Sequence, residues 1–500
     1  MQSIMTIVWA LFLCVLLTGQ AVADKITVPV QSSASSRLLF PVVNKTIPVK
    51  SSVTLSSENG AVDAEIYSRL VWPGTEDSSY IRLLVIDLQS PPDFNKLTVS
   101  WSPATDPIRP FWGQIGNVTL VSPDREWLQQ VIKLHPISVP DQAWYTDALR
   151  LHANYIADDE RMKNDKYPQT RAAHWLYDKP QSFFQLFLLT GDNWALEQAK
   201  RLSSYYEMNV KEDGFFRLRN RNDVKYVMSR GLTYHFLLTG SEKMKDAVAR
   251  QFEASQEWDP DYNSWTGFWT ERNQAAALNT AIAHWELSGS KEAKERIDEI
   301  VKATYAMTFE PENDWPVRDC PQHTMEAHEG KGGDRPVCSP WMMALLADGL
   351  WRLVLLNDNR QATELLRAFG RFFAEYGMYQ KQRKGKMVTA PYYLRAFPDH
   401  DWIEKNVWTD PQHNCEIAGM LGKSIKLYGG AQRAPKNMLT TFQQFATMCR
   451  GTLRGVAESI SQQNMASTAI RLKPPRRFGW MYSSTAELPW MIDTILSDLE

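Results

Sequence analysis

The sequence predicts an α+β chain in two parts, a strand-rich front and a long body of helical hairpins. Three observations carry this. Short β-type runs punctuated by Ser, Pro and Asn fill the front. One turn shape recurs five times further on: Leu189-Thr190-Gly191-Asp192, Leu238-Thr239-Gly240-Ser241, Leu287-Ser288-Gly289-Ser290, Leu355-Leu356-Asn357-Asp358 and Leu427-Tyr428-Gly429-Gly430, at spacings of 49, 49, 68 and 72 residues. Each turn follows an apolar segment and precedes a charged, amphipathic one.

Taken in order, residues 1–23 read as a secretory signal peptide. An apolar run leads to Ala21-Val22-Ala23, a small-residue cleavage pattern, although no Lys or Arg precedes the run. A secreted or periplasmic location follows. Residues 24–122 read as a β-sandwich-like domain, with strands from Lys25 to Val30, Ile81 to Leu88, Lys96 to Trp101 and Asn117 to Val121. Asn44 and Asn117 open glycosylation-type triplets, a pattern too common to carry weight.

Residues 123–455 form the helical body. In each turn, Gly (Asn357 in the fourth) is expected to end the first helix in a left-handed residue. The following Asp or Ser is placed to cap the next helix. Such short links make antiparallel pairs. The first helix of each pair is apolar nearly all round, hence inner; the second is amphipathic, hence outer. Residues 456–500 contain Lys473-Pro474-Pro475-Arg476, which ends any helix, and read as a segment closing on the body.

Charge is balanced, with 22% charged residues and a formal net charge of −2. That argues against nucleic-acid binding and against general attraction to anionic membranes. Beyond the leader no stretch is long enough to span a bilayer. Removing the leader leaves Cys320, Cys338, Cys415 and Cys449, an even number suited to disulfides. Hairpin geometry sets Cys415, early in the last inner helix, opposite Cys449, late in its outer partner; Cys320 and Cys338 then close the loop between them.

Serial inner–outer hairpins with a Leu-Thr-Gly-Asp style of turn, behind a β domain and a leader, resemble the α/α-toroid carbohydrate-active enzymes. That group includes heparinase-like lyases and exo-acting rhamnogalacturonan lyases. The resemblance covers about 300 residues and speaks to fold more than to reaction. It implies a closed (α/α) toroid of five to six hairpins with a polysaccharide or oligosaccharide substrate.

Within such a body the starts of the inner helices share one rim, where loops and helix N-termini favour anionic ligands. The residues expected there are rich in Arg, Asn, His and Trp: Arg171, Arg217, Arg219, Arg221 and Arg272 could fork onto carboxylate or sulfate, and Trp265, Trp269, Trp341 and Trp408 offer flat faces for sugar rings. Two chemistries compete. A lyase on uronates needs a base and a carboxylate stabiliser. His174, His413, Tyr226 and Tyr262 are the bases or acids; Asn222, Asn273, Asn414 and Arg272 are the stabilisers. A hydrolase needs paired carboxylates, here Glu271, Asp223 and Asp410. Cations and amides outnumber carboxylates, which favours the lyase. A carbohydrate-binding protein without activity would carry the same rim.

His235 and His284, three residues before their turn leucines, read as structural. The loop from Cys320 to Cys338 carries His323, Glu326 and His328, side chains of the type that binds a divalent metal such as zinc, but their spacing matches no metalloenzyme motif. The loop therefore reads as a solvated loop or a substrate-contacting lid ahead of a divalent-metal site, and no cofactor is expected.

Overall fold

The structure is a computed structural model that describes residues 24–499, apart from 32–33, 75–78, 136–138, 159–167, 220–221, 262–269, 312–317, 330–331, 384, 397–402, 406–412 and 462–475. The expected leader lies outside the described residues.

Strands β1 (Asp24–Pro29), β2 (Arg37–Pro41), β3 (Ser51–Ser57), β4 (Gly60–Ala61), β5 (Ala64–Val71), β6 (Ile81–Leu88), β7 (Lys96–Pro103) and β8 (Thr119–Leu120) make two four-stranded sheets, ordered β1-β7-β3-β4 and β5-β6-β2-β8. Strand β6 is apolar at nearly every position, as a strand covered on both faces must be. Its side chains divide between two cores, because neighbours along a strand point to opposite faces. Leu84 and Ile86 join Leu38, Phe40, Leu97 and Val99 between the sheets. Leu83 and Val85 join the core of the helical body.

Helix α1 (Arg125–Ile132) links the front to the body, which starts with α2 (Ala143–Ala157). Hairpins follow: α3 (Lys179–Thr190) with α4 (Asn193–Met208), α5 (Arg230–Thr239) with α6 (Glu242–Ser255), and α7 (Glu271–Ser288) with α8 (Lys291–Phe309). After the short α9 (Met325–Glu329) come α10 (Met343–Asn357) with α11 (Arg360–Tyr376), and α12 (Asn414–Tyr428) with α13 (Lys436–Ser461). Helices α14 (Arg476–Tyr482) and α15 (Leu488–Ser497) complete the body.

Turn chemistry makes these pairs. Gly191, Gly240, Gly289 and Gly429 are left-handed, with φ of 74°, 69°, 68° and 94°, a backbone that glycine adopts without a Cβ clash. Asp192 and Ser290 then accept from the backbone N–H groups of Trp194 (3.0 Å) and Ala293 (3.2 Å). The fourth turn departs from expectation by one residue. Asn357 is still helical, Asp358 is the left-handed residue at φ 53°, and Asn359 caps α11 by accepting from Ala362 N at 2.8 Å. A short polar side chain such as Asp tolerates that backbone.

Every residue of α3 from Lys179 to Leu189 is buried, whereas its partner α4 buries one stripe through Ala195, Ala199, Leu202 and Tyr206. The inner helices pack in sequence, α3 on α5, α5 on α7, α7 on α10 and α10 on α12. Helix α14 touches both α12 and α3, so it fills the gap between the last inner helix and the first. Helix α2 backs it from outside, against α13 and α3. This cycle is consistent with an α/α toroid, and its sixth pair is assembled from opposite ends of the body.

The turn end of the body carries the front sheets. Arg69 Nη2 donates to Gly240 O at 3.0 Å, and Gln129 Nε2 of α1 donates to Leu188 O at 2.7 Å. A buried charge triad binds the two parts together. Arg82 of β6 lies 2.9 Å from Glu286 of α7, and Arg352 of α10 forks onto the same carboxylate. Burial by itself would raise the Glu286 carboxyl, but Arg352 and Arg82 outweigh it and hold it at about 2. Burial lowers Arg82 to about 10.

The segments before α10 and α12 are not plain loops. Strands β9 (His323–Thr324), β10 (Pro336–Cys338), β11 (Met378–Arg383), β12 (Lys386–Ala396) and β13 (Ile403–Lys405) form a small sheet, ordered β11-β12-β10-β9 with β13 on β12. The cysteines pair as expected, Cys320 with Cys338 and Cys415 with Cys449. No described helix is long and apolar enough to cross a membrane.

Candidate active site

Where α3, α5 and α7 begin, they surround a cavity with about 570 Å³ of empty space, part of it open to solvent. Its wall starts with Tyr177 and Asp178, just before α3. Both have left-handed backbone, at φ 66° and 42°. Asp tolerates that region, but Tyr does not favour it, so about 1–3 kcal/mol of strain at Tyr177 must be held by the surroundings. Two glycines allow it. A Cβ on Gly479 of α14 would sit 2.1 Å from the Tyr177 carbonyl oxygen. A Cβ on Gly231 of α5 would sit 2.5 Å from Asp178 Oδ1. Gly479→Ala is therefore expected to destabilise the fold by about 1–3 kcal/mol, read as a lowered urea midpoint. An unchanged midpoint would mean that the Tyr177 backbone is not clamped.

Asp178 caps α3. Its Oδ1 accepts from Gln181 N at 3.1 Å, and its Oδ2 accepts from Gly231 N at 2.9 Å. Burial pushes its carboxyl above the usual range, with the backbone donors opposing only in part. Across the cavity, Asp348 of α10 accepts from Lys423 Nζ at 3.0 Å. Burial would raise this carboxyl too, but Lys423 and Arg230 outweigh it and hold it below the usual range. Two carboxylates on one cavity are thus displaced in opposite directions.

Three cations share the wall: Lys225, Arg230 and Arg272. Arg230 Nη2 donates to Asn279 Oδ1 at 2.6 Å. Arg272 Nη1 lies 3.4 Å from the Tyr177 hydroxyl. Burial works against the Arg272 guanidinium, but Tyr177 and Tyr393 more than compensate and its pKa is raised. Burial, then Arg272, lowers the Lys225 ammonium. Ser483 and Ser484, just past α14, complete the wall, and Gln185 Nε2 fixes Ser483 by donating to its carbonyl at 2.9 Å.

Two buried clusters flank this region. Glu271 opens α7 and accepts from Ser339 N at 2.7 Å, and burial pushes its carboxyl up to about 8. His323 and His328 lie beside it. Glu326 does not join them; it accepts from Gly333 N. The second cluster sets His413 Nδ1 2.6 Å from Glu416 Oε2, which also accepts from Trp341 Nε1 at 3.1 Å. The Trp341 ring lies 4.1 Å from that of His413.

Of the residues expected from sequence, Arg272 lines the cavity. Glu271, Asn273, His413, Asn414 and Trp341 are buried nearby in the starts of α7, α10 and α12. Trp341 thus presents its ring to His413 and Tyr393 within the fold. His174 is fully buried with Nδ1 3.1 Å from Lys179 Nζ, and Tyr226 is buried against Phe216. Arg171, Arg217 and Asn222 are exposed, and the exposed Arg219 pairs with Asp223 at 3.2 Å. Arg221, Tyr262, Trp265, Trp269, Trp408 and Asp410 lie outside the described residues. Away from the rim, His235 is buried against Ser203 Oγ at 2.6 Å, and burial lowers it to about 4; His284 stacks on Phe252.

Sequence reasoning missed Tyr177, Asp178, Arg230, Asp348 and Ser483. Asp178 had a signal: an Asp followed by Lys179-Pro180 marks a helix start. Asp348 had none, being one polar residue in an apolar inner helix.

No protein-family model and no curated protein matches the chain. Among solved structures, it is similar to a family 105 glycoside hydrolase of C. acetobutylicum, with a TM-score of 0.45 at 12% identity, covering 69% of this chain and 99% of that one. It is also similar to an unsaturated glucuronyl hydrolase of Bacillus sp. GL1, with a TM-score of 0.43 at 12% identity over 70% of this chain and 96% of that one. A cellobiose 2-epimerase of Bacillus thermoamylovorans gives 0.43 at 10% identity over 68% and 98%. These are carbohydrate-active enzymes, the group that the hairpin turns resemble. At this distance the reading of the cavity rests on the chain's own residues.

Proposed function

We propose that the chain is a glycan-processing enzyme that takes an anionic, uronate-containing saccharide into the Asp178–Arg272 cavity and cleaves it by β-elimination. One observation carries this reading: the Arg272 guanidinium and the Tyr177 hydroxyl sit 3.4 Å apart on the cavity wall. Arg272, with Lys225 nearby, would bind the uronate carboxylate and stabilise the enolate that forms when C5 loses its proton. Tyr177, as phenolate, would take that proton. The C5–H electrons become the C4–C5 double bond as the C4–O bond breaks, and Asp178, kept towards its neutral form by burial, would protonate the departing oxygen. The paired cysteines fit the exported location expected from sequence.

One observation favours hydrolysis instead. Asp178 is displaced upward and Asp348 downward on the same cavity, as a general acid and its carboxylate partner would be. Incubation with uronate oligosaccharides separates the readings. Elimination produces ultraviolet absorbance from the new conjugated double bond; hydrolysis produces reducing ends without it. Retention on a polysaccharide gel with neither signal would leave a binding protein and end the enzymatic reading.

A further inference from the structure

A second site lies apart from the cavity wall, where the disulfide-closed loop meets the first residue of α7. Glu271, His323 and His328 are each fully buried there. One donor atom from each lies within 4.8 Å of the others. The nearest pair is His323 Nε2 and His328 Nδ1, 3.3 Å apart. Two nitrogens bound to one tetrahedral zinc stand about 3.3 Å from each other.

The surroundings prepare His323 and Glu271 as ligands. His323 Nδ1 lies 3.1 Å from the Pro321 carbonyl oxygen, so that nitrogen carries the proton and Nε2 keeps its lone pair. Histidines that bind metals are commonly oriented this way, through the opposite nitrogen. Glu271 uses Oε1 to accept from Ser339 N, while Oε2 is buried with no hydrogen-bond partner among the described residues. A carboxylate oxygen shut away from water without a donor is costly, and a bound cation removes that cost. Two imidazoles and one carboxylate make a borderline-soft ligand set, suited to zinc rather than to calcium or magnesium.

From this juxtaposition we infer that Glu271, His323 and His328 form a zinc site. His323 through Nε2, His328 through Nδ1 and Glu271 through its carboxylate hold the ion, and a water or a further group takes the fourth position. The ion ties the loop between Cys320 and Cys338 to the start of α7, which the sequence alone leaves joined only by the disulfide at its own base.

The test uses the full chain without a histidine tag, stripped by a chelator and titrated with zinc chloride. One zinc per chain should bind, with a rise in melting temperature. Cobalt in its place should give the visible absorption of a low-coordinate nitrogen and oxygen site. His323→Gln and His328→Gln should each weaken zinc binding at least about tenfold, the loss that removing even an outer partner of a metal ligand produces. A folded wild-type chain that takes up no zinc one-to-one overturns the inference, as does unchanged binding in both variants. The wild-type titration and cobalt spectrum decide the matter if a variant fails to fold. Neither result touches the glycan reading, which rests on other residues.

Discussion

Arg272→Ala should lower kcat/KM for an anionic saccharide by about 10²–10³-fold, the loss seen when a single preorganised donor to a developing negative charge is removed. The guanidinium reaches the cavity beside Tyr177, where the enolate charge would form. The loss should fall mainly on kcat. If Arg272 only held the substrate, KM would rise and kcat would stay. Arg272→Lys should recover part of the rate, because it keeps the charge but not the planar fork. Wild-type turnover in Arg272→Ala, with the chain folded, would remove this residue and the anionic substrate together.

The second large effect concerns stability. Glu286→Gln should destabilise the protein by about 3–5 kcal/mol, because it leaves Arg82 and Arg352 buried without their shared counter-charge. The pH dependence has a definite sign. The Glu286 carboxyl is held at about 2 in the fold against an ordinary 4.5. A carboxyl lowered by folding contributes stability that is complete above its unfolded value and is lost as pH falls through the folded one. The gap between wild type and variant, measured by urea denaturation, should therefore be constant above about 4.5 and shrink towards pH 2. A gap independent of pH over that range would mean that Glu286 does not carry the charge in the triad.

The hairpins were legible because their signals are local. A glycine with positive φ and the polar residue after it are fixed by neighbours in sequence, as at Gly191-Asp192 and Gly289-Ser290. The fourth turn slipped by one residue because Asn357 and Asp358 both tolerate the left-handed region, and propensity alone does not choose between them. The sixth inner helix was hidden. Phe478, Trp480, Met481 and Tyr482 bury against helices from both ends of the helical body, with no turn motif to announce them. The small sheet before α10 and α12 was not read either: β11 and β12 form a local hairpin, but β10 joins β12 across a long gap, as Val337 does with Ala396. At the site, Arg272 was read from its place at an inner-helix start. The metal-type ligands were half read: His323 and His328 are close in sequence, but the carboxylate beside them is Glu271 and not the adjacent Glu326. Proximity along the chain pointed to Glu326, whereas the carboxylate that the fold brings beside the two histidines comes from α7.

The helix that fills the ring's last gap belongs to a segment translated long after the rest of the cavity wall. While the chain is being made, Tyr177 and Asp178 have no Gly479 to hold their backbone, and the position of Ser483 and Ser484 is vacant. The cavity wall is thus incomplete until the last part of the chain has been made. The wall closes only where the two ends of the helical body meet.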